Sequence, residues 1–334
     1  MNRILIIGGY GHVGQKIARR LIAAGRSVTI AGRDAGKAAA AAGRLGCQGV
    51  ALDLARPDSW PAPLAGAGAV ICCLDTDSAD FAAAVLSRGL AYLDISATDA
   101  VLRRIEALDN LAQERNALAV LSVGLAPGLS NLLVREARAR CPGATHFRIG
   151  VLLGLGDSHG PAAIDWTLGS LGPLDRGDIR PLRFGRDRRA RPTIPFDFSD
   201  QHSLMRRGYP SVETRLALAS PLIFPWSLRL LARMAGHPRL RRALAASMPF
   251  LRVGSDRTAL VVEAFAEGRA APALRLTLEG RQEAEVTALV AAEVALRLPG
   301  LPARGVRHLD ALLRFDDLRP GLAGQGIEPG GGLG

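Results

Sequence analysis

The chain has 334 residues, 48% of them hydrophobic, which is enough for a sizeable core and, by length, for two domains. Lys and Arg number 42 against 31 Asp and Glu, a formal net charge of +11, but lysine occurs only at Lys16 and Lys37, the arginines are scattered and aromatic residues make up 4%. Without a basic cluster interleaved with stacking rings, a nucleic-acid role is set aside, and the excess charge favours anionic ligands.

The chain opens on a strand-like run, "ILIIGG", and the N-terminus has no cleavable leader pattern. Gly9-Tyr10-Gly11-His12-Val13-Gly14 follows as GxGxxG, directly before the helical pattern "QKIARRLIAAG". In that setting Gly9 permits the tight turn, Gly11 lets the backbone approach a pyrophosphate and Gly14 allows close packing of helix on strand. The helix N-terminus then offers free N–H groups and a positive dipole to phosphates. Tyr10, His12 and Val13 complete the loop.

A second run, "SVTIAGR", ends on Gly32 and Arg33. An acid at this strand end would hold ribose hydroxyls and repel a 2′-phosphate, whereas an arginine pairs with one, so NADP(H) is expected rather than NAD(H). Asp34 is read as the N-cap of the helix that follows. Asp53 closes "VALDL", either as an acceptor for adenine or as a plain turn residue, and "ARPDSWPAPLAGAG" is expected to be irregular.

The runs "AVICCL", "AYLDIS" and "LAVLSVG" alternate with helical segments, of which "ATDAVLRRIEALDNLAQERN" reads as one long amphipathic helix. Alternation of this kind implies βαβ units and a parallel sheet. Ligands lie outside the carboxyl ends of such strands, so Cys73, Leu74, Asp75 and Thr76, then Asp94, Ile95 and Ser96, then Gly124 to Gly128 with Pro127, are expected to line the nicotinamide half. Asp94 either handles a proton or binds an amine, or caps a helix starting at Ala97. The uncharged stretch from Asn116 to Val134 is long enough to span a bilayer, but Gly124, Pro127, Gly128 and Asn131 make it strand, turn and helix start.

After Gly150 the runs "TIPFDFSD", "SVETRLALAS", "RTALVVEAFAEG" and "PALRLTLEG" predict a second, antiparallel or mixed sheet. "GLGDSHGPAAIDWTLGSLG" leads from a strand into a helix with Pro161 in its first turn. There His159 is a candidate proton donor or acceptor, Asp165 a candidate to orient an ammonium group and Trp166 a candidate wall of the site. The alternative is a capping loop with an exposed histidine and a packed tryptophan. The basic amphipathic segment from Pro221 to Val253 is read as cap, core or partner packing rather than membrane contact. "EAEVTALVAAEVALRLPGLPARGVRHLDALLRFDDL" reads as one or two helices, and the glycine-rich tail as flexible. Cys47, Cys72, Cys73 and Cys141 lack CxxC spacing and are read as reduced thiols of a cytoplasmic protein; the histidines lack ligand spacing, and no metal is expected. No GxSxG elbow supports a hydrolase.

"GGYGHVGQKIARRL", "AGRD", "AVICCL", "AYLDIS" and "SVGLAPGLSNLL", in this order, resemble the saccharopine dehydrogenase-like reductases, a family that includes saccharopine reductases and carboxynorspermidine dehydrogenases. The resemblance covers the first 135 residues. It implies a Rossmann domain (1–127), an α+β substrate and dimerisation domain (128–290), C-terminal helices returning to the first domain (291–325) and a homodimer; Ser96 and Gly128, at their strand ends, are candidate substrate contacts, and residues 326–334 are the tail. It also implies hydride transfer between a nicotinamide cofactor, commonly NADP(H), and an imine or secondary amine. Two other readings stand beside it: a reductase of C=C or C=O bonds in a lipid-like substrate, and a non-catalytic cofactor sensor.

Overall fold

β1 (Arg3–Ile7), β2 (Val28–Gly32) and β3 (Gln48–Ala51) follow the apolar runs, joined by α1 (His12–Ala23) and α2 (Ala35–Leu45). A computed structural model describes residues 3–75, 77–156, 161–185, 187, 189–220, 222–247 and 254–330. Asp34 caps α2, its carboxylate accepting from the Lys37 N–H at 2.9 Å. The proline-rich stretch forms a short turn of helix, α3 (Pro61–Leu64), before β4 (Ala67–Cys72), α4 (Ala79–Leu86) and β5 (Ala91–Asp94).

The segment expected as one long helix is two, α5 (Asp99–Glu106) and α6 (Asp109–Glu114). The apolar stripe continues through the break, and no glycine or proline causes it. Asp109 instead accepts from the Val306 N–H at 2.7 Å and from Arg307 at 2.8 Å, so a distant strand captures the start of the second helix. β6 (Leu118–Leu121) and α7 (Ser130–Arg140) follow.

The chain continues through β7 (Ala144–Gly154), α8 (Pro161–Gly169), β8 (Arg180–Leu182), β9 (Arg191–Pro195), α9 (Ser199–Arg206) and β10 (Val212–Ala219). Next come α10 (Pro225–Ala235), α11 (Pro238–Ser247), β11 (Arg257–Ala266), β12 (Leu274–Arg281) and α12 (Glu283–Arg297). It ends on β13 (Gly305–His308), α13 (Leu309–Leu312), α14 (Phe315–Ala323) and β14 (Glu328–Gly330).

These elements form two units, Met1–Leu132 with Ala284–Gly321, and Leu133–Glu283 with Leu322–Gly334. In the first, a seven-stranded parallel sheet has the order β13-β6-β5-β4-β1-β2-β3, the doubly wound arrangement with one added edge strand. Its interior strand β1 buries Ile4 to Ile7 completely. One face packs Leu5, Val70, Tyr92, Leu102 and Leu121 with Phe81, whose ring meets Trp60 edge to face at 5.3 Å. Burial of side chains this size, worth about 1.5–3 kcal/mol each, holds the sheet against its helices. Glu285 of α12 accepts from Lys16 and Arg20 of α1, the latter at 2.9 Å. The C-terminal segment thus returns to the first unit, bringing a strand as well as helices.

The second unit has a mixed sheet, β14-β12-β11-β7-β10-β9-β8, in which only β7 and β10 run parallel. Leu152, Ala217, Ala219, Ala259 and Val261 pack on one of its faces under Leu182 and Phe184. Farther along the same strands that face turns ionic: Arg148 donates to Glu213 at 2.5 Å and to Glu263 at 3.2 Å, and Arg275 donates to Glu263 at 2.9 Å. Open cavities of 380 and 580 Å³ lie here, both lined by Arg148, Phe265 and Ala270. α8, α10 and α11 make a small cluster of their own around Ile164, Leu168 and Ala235. Part of the tail read as flexible is a strand, since β14 pairs with β12 from Glu279 to Thr277. Among the described residues no helix is long and apolar enough to cross a membrane.

Candidate functional site

The turn between β1 and α1 is built around steric clearances that only glycine leaves. A Cβ on Gly14 would stand 2.5 Å from the Gly8 carbonyl oxygen and 2.7 Å from the Gly9 Cα, both backbone atoms that cannot swing away. Gly8 itself adopts φ +71°, so the left-handed residue of the turn is the first glycine of the doublet, one position before the motif. The Gly9 N–H donates to the Ala31 carbonyl at 3.1 Å and the Gly11 N–H to that of Gly8 at 2.8 Å, pinning the turn across β1 and β2.

α1 starts at His12 with Gly11 as its N-cap, without a side-chain cap and without an acid in its first turn. The first intrahelical bond there runs from the Gln15 N–H to the Gly11 carbonyl at 3.1 Å. The N–H groups of His12, Val13 and Gly14 therefore head the helix, and the macrodipole adds to their pull on an anion. This is the arrangement a pyrophosphate needs, so the residues present fit a dinucleotide.

Tyr10 lies over the end of β2: a Cβ on Gly32 would meet the Tyr10 ring at 2.3 Å, so Gly32 exists to seat that ring. Gln15 fixes the loop from the other side by donating to the Tyr10 carbonyl at 2.7 Å. Arg33, next to Gly32, is exposed, and among the described residues its guanidinium has no ion-pair partner. Asp53 shapes the following loop. Its carboxylate accepts from the Ala55 N–H at 3.0 Å, and its carbonyl accepts from the Ser59 hydroxyl at 3.0 Å and the Trp60 indole at 2.9 Å.

At the carboxyl ends of β4 and β5 the structure brings Cys73, Leu74, Asp75, Asp94 and Ser96 into one region. The Cys73 N–H donates to the Ile7 carbonyl at 3.0 Å, extending the β1–β4 pairing to the rim of the sheet. Asp75 accepts from the Ser96 hydroxyl and, at 2.6 Å, from Thr98. Asp94 is fully buried, accepting from the Tyr92 hydroxyl at 2.7 Å and the Ser96 N–H at 2.7 Å. Burial pushes its carboxyl up to about 6, although the hydrogen bonds from Tyr92 and Ser96 pull the other way. The expected alternative, a cap on a helix from Ala97, is not what forms: α5 begins at Asp99 and its N-cap is Thr98. Burial likewise pushes the Cys72 thiol up to about 12, so it stays protonated.

The turn after β6 holds Pro127 and Gly128 in buried positions, with Gly128 at φ +140° and its N–H donating to Asn131 at 2.9 Å. A Cβ at Gly128 would stand 2.9 Å from the Ser122 carbonyl oxygen. Ser122 is itself buried and shares a hydrogen bond with His308 Nδ1 at 2.8 Å, while His308 Nε2 meets Glu106 at 3.0 Å. This relay ties the turn to β13, and the sequence gives no local signal for it. Its members are brought together only by the pairing of β13 with β6.

Of the candidates in the second unit, His159 lies outside the described residues, as does Thr76 of the first unit. Asp165 is mostly exposed, 3.9 Å from Arg241. Trp166 packs against Phe196 and Phe198, with ring centroids 5.4 and 5.5 Å away. Among the described residues no cluster of His, Cys, Asp and Glu could hold a metal ion.

Residues 4–120 match the family model of the saccharopine dehydrogenase NADP binding domain. No curated protein sequence matches the chain. Among solved structures, the apo saccharopine dehydrogenase (L-Glu forming) from Saccharomyces cerevisiae matches with a TM-score of 0.67 at 15% identity, over 98% of this chain and 99% of that one. GenD2 from gentamicin A biosynthesis, in complex with NAD, gives a TM-score of 0.43 at 14% identity, over 96% and 91% of the two chains. The WlbA dehydrogenase from Thermus thermophilus, with NAD and alpha-ketoglutarate, gives 0.44 at 11% identity, over 96% and 93%. The first of these shares the two-sheet fold across its whole length.

Proposed function

From the premise that residues 4–120 form a saccharopine dehydrogenase-type NADP-binding domain, we propose that the protein is an NADP(H)-dependent oxidoreductase acting on a C=N bond or, in reverse, on a secondary amine. The observation that carries this reading is the uncapped, acid-free start of α1 behind a turn that excludes any Cβ at Gly14. Such a turn serves phosphate binding rather than packing alone.

The N–H groups heading α1 hold the pyrophosphate, Tyr10 and Gly32 floor the adenosine side, and Arg33 pairs with the 2′-phosphate as a fork donor. A nicotinamide held by these residues would supply the hydride, and the chain's part is to hold the acceptor beside it. Asp94 is the proton-handling group: with its carboxyl raised to about 6, it exchanges a proton near neutral pH, and Tyr92 and Ser96 fix its orientation. Asp75, held by Ser96 and Thr98, attracts the ammonium of an amine substrate. His159 is the second candidate for proton transfer, with Asp165 and Trp166 beside it in sequence; unchanged turnover of His159→Ala at every pH would remove it.

The test is to incubate the purified chain with NADPH and a panel of amine and carbonyl pairs. Oxidation of NADPH only when both partners are present, with a secondary amine as product, is the expected result. Oxidation with the carbonyl compound alone would replace C=N by C=O reduction, and no oxidation across the panel would overturn the proposal.

A further inference from the structure

Among the described residues six large hydrophobic side chains are strongly exposed, and five of them, Leu222, Phe224, Trp226, Leu230 and Leu240, fall within one stretch of the second unit. Trp226 is 64% exposed and Leu222 60%. The Phe224 and Trp226 rings lie parallel, 3° apart with centroids at 6.4 Å, so the two exposed rings are neighbours.

α10 is apolar on two opposite sides. Leu228, Ala232 and Ala235 recur at helical spacing and are buried, and Ala235 and Leu231 pack in the small cluster with α8 and α11. Trp226 and Leu230 sit about half a turn away around the helix and face outward. Apolar surface of this kind, rimmed by charge, marks an interaction site rather than a solvated face.

The charge of the rim identifies the occupant. From Leu222 to Ser247 the sequence has five arginines, Arg229, Arg233, Arg239, Arg241 and Arg242, and no Asp or Glu, and of the five Arg241 stands 3.9 Å from Asp165 of α8, leaving Arg233, Arg239 and Arg242 as the exposed cations of the rim. A two-fold contact between identical copies would set these arginines against one another, and the charge-poor core of such an interface would be lost. A phospholipid leaflet bearing anionic headgroups instead supplies acyl chains for Trp226 and Leu230 and phosphates for the guanidinium groups. Tryptophan at the boundary and arginine reaching the phosphates is the disposition of a helix lying in the interface plane.

We propose that α10, α11 and the Leu222–Phe224 approach dock the protein on the surface of an anionic lipid bilayer. This surface lies outside the dinucleotide-binding residues, so the proposal stands whether or not the C=N reaction is correct.

The full chain should float with vesicles of phosphatidylcholine containing phosphatidylglycerol, but not with phosphatidylcholine alone, and added salt should release it. The double variant Trp226→Ser, Leu230→Ser should bind the anionic vesicles at least ~10-fold more weakly, and so should Arg233→Gln, Arg242→Gln. All four side chains are on the surface, and unchanged thermal unfolding of each variant checks that the fold is intact. Failure of the wild-type chain to float with anionic vesicles would overturn the proposal, as would equal binding by both variants. So would self-association in lipid-free solution that Trp226→Ser, Leu230→Ser abolishes, since the surface would then join two copies of the chain.

Discussion

Asp94→Asn should make the protein more stable at about pH 8 while changing little at about pH 4. The carboxyl has no solvent exposure, and burial raises it from the ordinary 3.8 to about 6. The folded protein therefore holds the proton more tightly than the unfolded chain does. Stability is greatest below 3.8, falls as pH rises to about 6, and stays reduced above it. Roughly two pKa units at 1.36 kcal/mol each put the penalty of the buried anion near ~3 kcal/mol. Asparagine removes that charge and can still accept from the Ser96 N–H, while the Tyr92 hydroxyl has Ser78 as a second partner at 3.2 Å. Urea unfolding of both proteins at the two pH values, followed by circular dichroism, gives the difference directly. A gain of up to ~3 kcal/mol confined to the higher pH is expected. An equal change at both values, or destabilisation at the higher one, would refute a raised, buried Asp94.

Gly14→Ala must push its Cβ against the Gly8 carbonyl at 2.5 Å, so it should cost about 1–3 kcal/mol and weaken dinucleotide binding well beyond that loss. Thermal unfolding with and without NADPH separates the two effects. Glu213 behaves oppositely to Asp94: although burial opposes ionisation, His146, Arg148 and Arg215 hold its carboxyl down from 4.5 to about 2. It therefore contributes stability above 4.5 that is lost as pH falls to about 2, and Glu213→Gln should flatten that part of the acid-unfolding curve.

Five strands of the parallel sheet, β1, β2, β4, β5 and β6, are legible because each is an apolar run bounded by glycine or a charged helix, whereas β3, Gln48–Ala51, overlaps only the start of the run "GVALDL". β13 is not legible, since "GVRH" has one strongly apolar residue, Val306, and becomes a strand only by pairing with Leu118–Leu121. The break between α5 and α6 has the same origin, because Asp109 is captured by Val306 and Arg307 rather than by any local stop signal. The glycine turn and the Asp34 cap are local, and the sequence specifies both. The burial of Asp94 is half legible: Tyr92 stands two residues before it, on the same side of the strand, but nothing local excludes water from the pair. Glu106, Ser122 and His308 have no pattern at all, being far apart in sequence and joined only by the sheet edge. The outward face of α10 has apolar spacing that equally suits burial, and only the fold reveals which apolar stripe is left uncovered.

Titration of the wild type and Arg33→Ala with NADPH and NADH tests most directly whether the glycine turn and Arg33 hold NADP(H). Wild type should bind NADPH more tightly than NADH, and Arg33→Ala should lose roughly 10- to 100-fold in NADPH affinity with little change for NADH, as removal of a charge-assisted phosphate contact requires. Equal or tighter binding of NADH, unmoved by the substitution, would contradict the assignment of Arg33, and binding of neither would contradict the oxidoreductase reading as a whole.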